Sequence, residues 1–384
     1  MPSRTLISPE RVTDFTFQLF SPVLHAKRIA SLADATVGVL RGVSLAIHAI
    51  GAGLATAKGL TAKHTTKQVD RLLSNPGFEL DLLFSLWVPF VLALRTELVV
   101  AMDWTDFELD DHTTLSLSVL TSHGRSTPLL WRTVRKSDLK NRRNLVEDQL
   151  LHRLRELIPQ SVRITIVADR GFADQKLYAY LRDLKMDYII RFRQDFLVTD
   201  KTGVSHKAID FVPPNHRARR LLGAAVTAER YPVGAVVLIR DRDMKESWCL
   251  ATSRTDLSAR QIITLYGKRF CCEETFRDTK NAHLGLGLSQ THIQDAVRRD
   301  RLLMICALAM VLLTLLGAAG EDVGEDRKLK VNTVKTRTHS LFRQGCYYFQ
   351  AMENWTPERS SCLLLRFSEL LSAHSWCRLV FGIV

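Results

Sequence analysis

Apolar residues recur at helical spacing, with no alternating stretch, through residues 1–94, and this predicts a helical N-terminal region. Ser8-Pro9 offers an N-cap followed by proline at the first helical position. After a Gly/Ala-rich stretch from Gly51 to Gly59, Thr65 or Thr66 is placed to cap a helix. Val69, Leu72 and Leu73 form its apolar set, Lys67, Gln68 and Arg71 its polar side, and Asn75-Pro76-Gly77 stops it. From Glu97 the texture changes to short strands: Leu98 to Asp103, Thr113 to Leu120 and Pro128 to Val134, in an antiparallel meander. A helix over about Asn144 to Leu157, a strand from Val162 to Asp169, a helix over about Asp174 to Leu184 and a strand from Asp187 to Arg193 complete the order βββαβαβ. Residues 194–252 read as a β-rich insertion, with strand-like pieces at Phe196, Gly234 to Asp241 and Trp248 to Thr252 among Arg217, Arg219, Arg220, Arg230, Arg240 and Arg242. One helical pattern then runs from Leu257 to about Asn281, and residues 289–384 are helical.

Composition narrows the class. With 384 residues, 46% of them hydrophobic, the chain can bury a large core in two or three units, and a net charge of +13 with a pI near 9.6 suits a long polyanion. Nucleic acid is the first partner to test, although membrane-surface proteins share such a balance. The seven cysteines (Cys249, Cys271, Cys272, Cys306, Cys346, Cys362 and Cys377) show no paired CxxC spacing for zinc and read as reduced thiols of a cytoplasmic protein. The start, Met1-Pro-Ser-Arg-Thr, lacks the pattern of a secretory signal. Leu302 to Gly320 is uncharged and long enough to span a bilayer; a core helix rich in Ala, Gly and Thr reads the same way and is the reading we adopt, with no membrane as partner.

Two strand-end aspartates carry the candidate chemistry: Asp103 in "VVAMDWT" and Asp169 in "TIVADRGF". Either alone could be a turn residue; in this topology their strands are neighbours. In the helical segment "LYGKRFCCEETFRDTK", Tyr266, Arg269, Glu273 and Lys280 stand at offsets that fall within about a 60° arc of one continuous helix. A solvated face with Arg269 and Glu273 as an ordinary i,i+4 ion pair is the plainer reading of that segment alone. With both aspartates present, three carboxylates on adjacent elements can hold two Mg²⁺ ions roughly 4 Å apart, the arrangement that serves in-line displacement at phosphorus. Arg269, Lys280 and Tyr266 would then hold the flanking phosphates. Asp106 is a weaker candidate ligand, placed in the loop after the strand. Arg170 either touches DNA or neutralises the carboxylates, and His283 reads as a surface or helix-end residue.

The pattern Y-x2-R-x3-E-x6-K after a "DWT" and a "DRGF" strand resembles the DDE transposases of the insertion-sequence-four group, known by their YREK signature, over roughly Glu97 to Leu316. The order βββαβαβ is the one expected of an RNase H-like α/β fold: a mixed sheet flanked by helices, with a β-rich insertion between the second Asp and the Glu. The resemblance implies that Asp103, Asp169 and Glu273 are the catalytic, metal-binding triad, and that Tyr266, Arg269 and Lys280 handle phosphates. It also implies that Trp248 in "ESWCLATS" receives a flipped base, a role that a structural tryptophan would not have. Phe270 and Cys272 depart from the usual tryptophan and aliphatic residue but keep apolar bulk.

Three units are expected: a DNA-end-binding region at 1–94 using Lys67 and Arg71, a catalytic core at 95–288, and a region at 289–384 completing the core. The last, with Tyr347, Tyr348, Trp355 and Trp376, serves either a homodimer contact or the core. The implied protein is a cut-and-paste transposase acting on the double-stranded DNA of element ends and target, with Mg as cofactor and Mn as its substitute, in the nucleoid of a bacterial cytoplasm. A transposase-derived DNA-binding protein without catalysis and a membrane-associated nuclease are the competing readings.

Overall fold

The computed structural model describes residues 7–281 and 285–372. Met1-Pro-Ser-Arg-Thr, His283, Trp376 and Cys377 lie outside the described residues. Five helices open the chain: α1 (Pro9–Phe20), α2 (Ala26–Gly42), α3 (Ile47–Lys58), α4 (Ala62–Ser74) and α5 (Leu80–Leu92). The Ser8 hydroxyl accepts from the Arg11 N–H and caps α1, as the Ser-Pro pair predicts. The cap expected for α4 is corrected. Thr61 precedes its first residue, while Thr65 is buried one turn inside and donates to the Gly51 carbonyl at 2.6 Å. The Gly/Ala-rich stretch is itself helix α3, and Gly51 lets α4 approach so closely that a Cβ would lie 2.7 Å from the Thr66 backbone.

Three antiparallel strands follow, β1 (Glu97–Phe107), β2 (His112–Leu120) and β3 (Ser126–Arg135), then α6 (Arg143–Leu157), β4 (Arg163–Ala168), α7 (Gln175–Asp183) and β5 (Asp187–Phe192). β1, β4 and β5 pair in parallel, which makes the expected βββαβαβ sheet of an RNase H-like fold. The insertion contributes β6 (Leu197–Thr199), β7 (Ser205–Lys207), β8 (Arg219–Leu222), β9 (Ala225–Val226), β10 (Tyr231–Pro232), β11 (Ala235–Ile239) and β12 (Trp248–Thr252). Three of these extend the main sheet, whose order is β3-β2-β1-β4-β5-β12-β11-β8, and the other four form a small sheet of their own. β12 pairs antiparallel to β5, and just past its end the Arg254 guanidinium binds Asp256, Glu97 and Thr165, tying the chain to the central strands β1 and β4.

The single helix expected from Leu257 to Asn281 is two, α8 (Ala259–Gly267) and α9 (Phe270–Lys280). Ser258 and Gln261 form a capping box at the start of α8. Near Gly267, a weak helix former, the ladder tightens: Arg269 N–H donates to Tyr266 O and Cys272 N–H to Arg269 O, three residues back instead of four. The break lets the two helices follow the twisted sheet independently.

The apolar segment after Arg301 lies in α10 (Ala296–Asp322), packed against α2, β3, α11 (Leu341–Ala351) and α12 (Pro357–Ser372). Its most apolar window is 89% buried inside the fold, and this accounts for its composition. Arg301 donates to the Leu73 and Phe78 carbonyls, and both Asp300 carboxylate oxygens accept from the Thr133 N–H of edge strand β3. α10 thereby ties the N-terminal helices to the sheet. Tyr348 is buried in this core and Trp355 packs beside it, with the Arg359 guanidinium 3.5 Å from the indole centroid; Tyr347 is half-buried.

Candidate active site

Side chains alternate across a strand, so the register decides which groups meet. In β1, Val99 and Ala101 face the small core under α8 and α9, and Asp103 is next on that face. In β4 the same face carries Val167 and then Asp169; in β5, Ile189 and then Arg191; in β12, Leu250 and Trp248. The parallel pairing of β1 and β4 ends at Met102 opposite Ala168, so Asp103 and Asp169 both follow the last paired residue of neighbouring strands. Asp103 does not end its strand: β1 continues through Phe107, held by β2 alone, with Asp103 opposite Ser116. Asp106 is therefore also in the strand and not in a loop, opposite Thr113, and its carboxylate binds the Lys136 ammonium at 2.8 Å. That pair, with a bond from Thr113, holds Asp106 below its usual value against the effect of burial.

The Asp103, Asp169 and Glu273 side chains line one open cleft of about 490 Å³ together with Trp104, Thr105, Arg269, Phe276, Arg277, Lys280, Asn281 and Ser289. Asp169 Oδ1 accepts from the Gly171 N–H at 2.8 Å, which fixes its rotamer. Arg269 bridges the other two carboxylates, Nη1 lying 3.5 Å from Asp103 Oδ2 and Nη2 donating to Glu273 Oε1 at 2.5 Å. Burial pushes the Asp103 carboxyl up to about 6; the Arg269 guanidinium pulls it down, and the neighbouring charges of Asp169 and Glu273 add to the rise. Trp104, on the opposite face, donates from Nε1 to Glu147 at 2.7 Å and anchors the strand behind Asp103.

The remaining expected site residues are placed differently. Lys280 reaches the cleft, donating to Thr105 Oγ1 at 3.1 Å and to the Asp106 carbonyl at 2.6 Å, its ammonium 4.8 Å from the Phe107 ring centroid. Tyr266 does not share an open face with it: only 1% exposed, it lies with its ring edge-on to Trp248 at 4.8 Å, and burial raises its phenol above the usual value. The helix break is the reason, since Tyr266 ends α8 against the sheet while Glu273 and Lys280 belong to α9. Trp248 is half-buried between Tyr266 and Phe270. Arg170 is exposed and paired with Glu246 at 3.0 Å. Lys67 and Arg71 are exposed on α4 and do not line the cleft. The sequence reading missed Arg191, which also binds Glu246 (2.8 Å) and the Ser247 carbonyl and leaves a buried Nε without an acceptor among the described residues. The signal was present, because Arg191 is two residues past buried Ile189 on the Asp-bearing face.

Three carboxylates on one cleft offer the hard oxygen donors that a divalent cation takes. As the side chains stand, no three His, Cys, Asp or Glu groups among the described residues are gathered closely enough to grip an ion, and the Arg269 guanidinium occupies the ground between Asp103 and Glu273. The donor set fits a metal ion once that guanidinium yields.

No curated protein matches the chain. Residues 95–310 match the family described as the transposase DDE domain, a stretch running from the start of β1 into α10 and containing every residue of the cleft. DDE transposases bind DNA and use divalent metal ions. The match spans more than half of the chain, its sheet is the RNase H-like one, and the chain belongs to the DDE transposases.

Proposed function

We propose that this protein is a cut-and-paste transposase of the insertion-sequence-four group, in which Asp103, Asp169 and Glu273 hold two Mg²⁺ ions, or Mn²⁺ in their place. The observation that carries the reading is the register: Met102 opposite Ala168 sets two aspartates side by side, and α9 brings Glu273 to the same cleft. When bound, the ions supply Lewis acidity and an activated oxygen nucleophile. The chain supplies the rest. Asp103 is half-buried on β1 and Asp169 is fixed by the Gly171 N–H, so two of the three donors are pre-positioned and need little reordering. Lys280 and Arg269 line the cleft as the cations for the phosphates that flank the scissile bond. Arg191 and Arg170, held by Glu246, place a second cationic patch beside Asp169 and Trp248, where the indole can receive an unstacked base. Tyr266 packs edge-on against that indole, with its phenol beside the charges of Arg269, Arg191 and Asp169.

In this reading, attack of a water oxygen on phosphorus breaks the bond to a 3′ oxygen at an element end, and the freed 3′-hydroxyl later attacks a target phosphodiester, expelling the target strand's 3′ oxygen as a hydroxyl. The element's terminal inverted repeats and the target are both double-stranded DNA. Lys67 and Arg71 on exposed α4 are proposed end contacts within the 1–94 region, and a homodimer pairs two ends through the 289–384 region. Such a protein works in the cytoplasm, on nucleoid DNA.

Asp103→Asn, Asp169→Asn and Glu273→Gln each remove a donor oxygen charge at constant size. Each variant is expected to shift a fragment carrying the element's own ends as the wild type does, and to cleave it at least about a hundredfold more slowly. Full cleavage by any one of them removes that residue from the triad. Binding by all, with cleavage by none including the wild type, fits the non-catalytic DNA-binding alternative instead.

A further inference from the structure

The guanidinium of Arg269 is committed to two carboxylates inside the cleft, and a DNA phosphate can reach it only if it moves outward. Its side chain is 8% exposed; Nη1 and Nη2 are turned to Asp103 and Glu273, and Nε is buried without an acceptor among the described residues. It lies over the Phe270 ring, 5.3 Å from the centroid, so two carboxylates on different elements, each bonded through one terminal nitrogen, and an aromatic ring hold the group. It also sits at the α8–α9 break, where the backbone bonds run three residues back. Opposite it, Asp103 is a half-buried carboxylate, 17% exposed, whose charge is stabilised by a positive partner.

We propose that Arg269 is a stand-in cation: it neutralises Asp103 and Glu273 until a divalent ion takes both carboxylates, and is then released toward substrate phosphate. The inference rests on the assignment of Asp103, Asp169 and Glu273 as metal ligands. It makes metal and DNA binding cooperative by linkage, since a phosphate that draws Arg269 away frees the carboxylates, and an ion that takes the carboxylates frees Arg269. Arg269 is in this sense a positioning residue for the metal-free site and a phosphate ligand for the loaded one.

The sign of one measurement separates this role from simple support of the ligands. Mn²⁺ binding to the full-length protein without DNA is titrated by the loss of the free-ion electron paramagnetic resonance signal. Removing a competing unit charge a few ångströms away, Arg269→Gln is expected to bind Mn²⁺ about tenfold more tightly or better than wild type, while Arg269→Lys stays near wild type. Equal or weaker binding by Arg269→Gln overturns the stand-in role. Asp103→Asn tests the underlying assignment separately: wild-type Mn²⁺ affinity in that variant removes the ligand set, and the inference with it.

The wild type gives a second reading that no folding defect can obscure. Phenylglyoxal modification of Arg269, followed by mass spectrometry, is expected to speed up when Mn²⁺ is added and to stay slow with Mn²⁺ in Asp103→Asn. A rate in wild type that is unchanged or lowered by Mn²⁺ overturns the proposal.

Discussion

The α10–α11 contact is the tightest place in the fold to perturb. Gly345 on α11 lies so near α10 that a Cβ would stand 2.6 Å from the Leu313 carbonyl carbon, and a Cβ on Gly317 would stand 2.7 Å from that of Leu341. Both obstacles are backbone, which cannot rotate away. The Leu313 carbonyl oxygen lies nearer still, so Gly345→Ala requires the helices to part by at least about 1 Å, a gap that forfeits up to about half of the dispersion energy along the seam. The seam sets Gly317 against Leu341, Gly345 against Leu313 and Gly320 against Tyr348, all buried. Overpacking of this kind costs about 3 kcal/mol, and the gain in helix propensity from Gly to Ala returns about 1 kcal/mol, leaving a net loss of about 2 kcal/mol. Urea unfolding of Gly345→Ala beside Gly267→Ala measures it, because a Cβ on Gly267 meets nothing closer than the Trp248 ring at 3.8 Å. The midpoint should fall for the first and hold for the second. A Gly345→Ala protein as stable as wild type would refute the packing argument.

Asp300 makes stability depend on pH. Burial raises its carboxyl to about 7, against the Thr133 N–H and the Arg132 and Arg299 charges that favour the anion. A raised folded value means that stability is fullest below the unfolded value near 4 and is lost as pH climbs to about 7, by about 4 kcal/mol at 1.4 kcal/mol per unit. Asp300→Asn keeps an acceptor for Thr133 and should flatten the urea midpoint across that window and raise it at pH 8; an unaltered slope would contradict the assignment. Lys280→Ala removes a proposed phosphate contact, so DNA affinity should weaken and the logarithmic salt slope should become shallower by about 1. An unchanged slope would take Lys280 out of the DNA interface.

Much of this was legible in the residues because the core strands obey simple rules. The alternation from Val99 to Asp103 and from Val167 to Asp169 already implied a shared face, and the βββαβαβ order implied adjacent strands. The apolar run of α10 read as buried, and it is. The helix break escaped notice because Lys268 and Arg269 keep helical dihedrals, and Gly267 alone does not announce a turn within an otherwise periodic segment. The face shared by Tyr266 and Lys280 failed with it. Thr61 was passed over because Thr65 and Thr66 are equally good caps on local grounds, and the approach of α3 at Gly51 settled the matter through tertiary contact. That β12, β11 and β8 extend the main sheet instead of forming a separate unit depends on long-range pairing that short strands do not encode.

The claim at the centre is that metal held by Asp103, Asp169 and Glu273 acts directly on a scissile DNA phosphate. The measurement that tests it is cleavage of the element's own end by the wild type when a non-bridging oxygen of that phosphate is replaced by sulfur, in Mg²⁺ and in Mn²⁺. Mg²⁺ binds sulfur poorly and Mn²⁺ better. The account predicts that one sulfur stereoisomer abolishes cleavage in Mg²⁺ and that Mn²⁺ restores it, with no cleavage of any substrate in chelator. Equal cleavage of both stereoisomers in either ion, or cleavage with all metal removed, would contradict it.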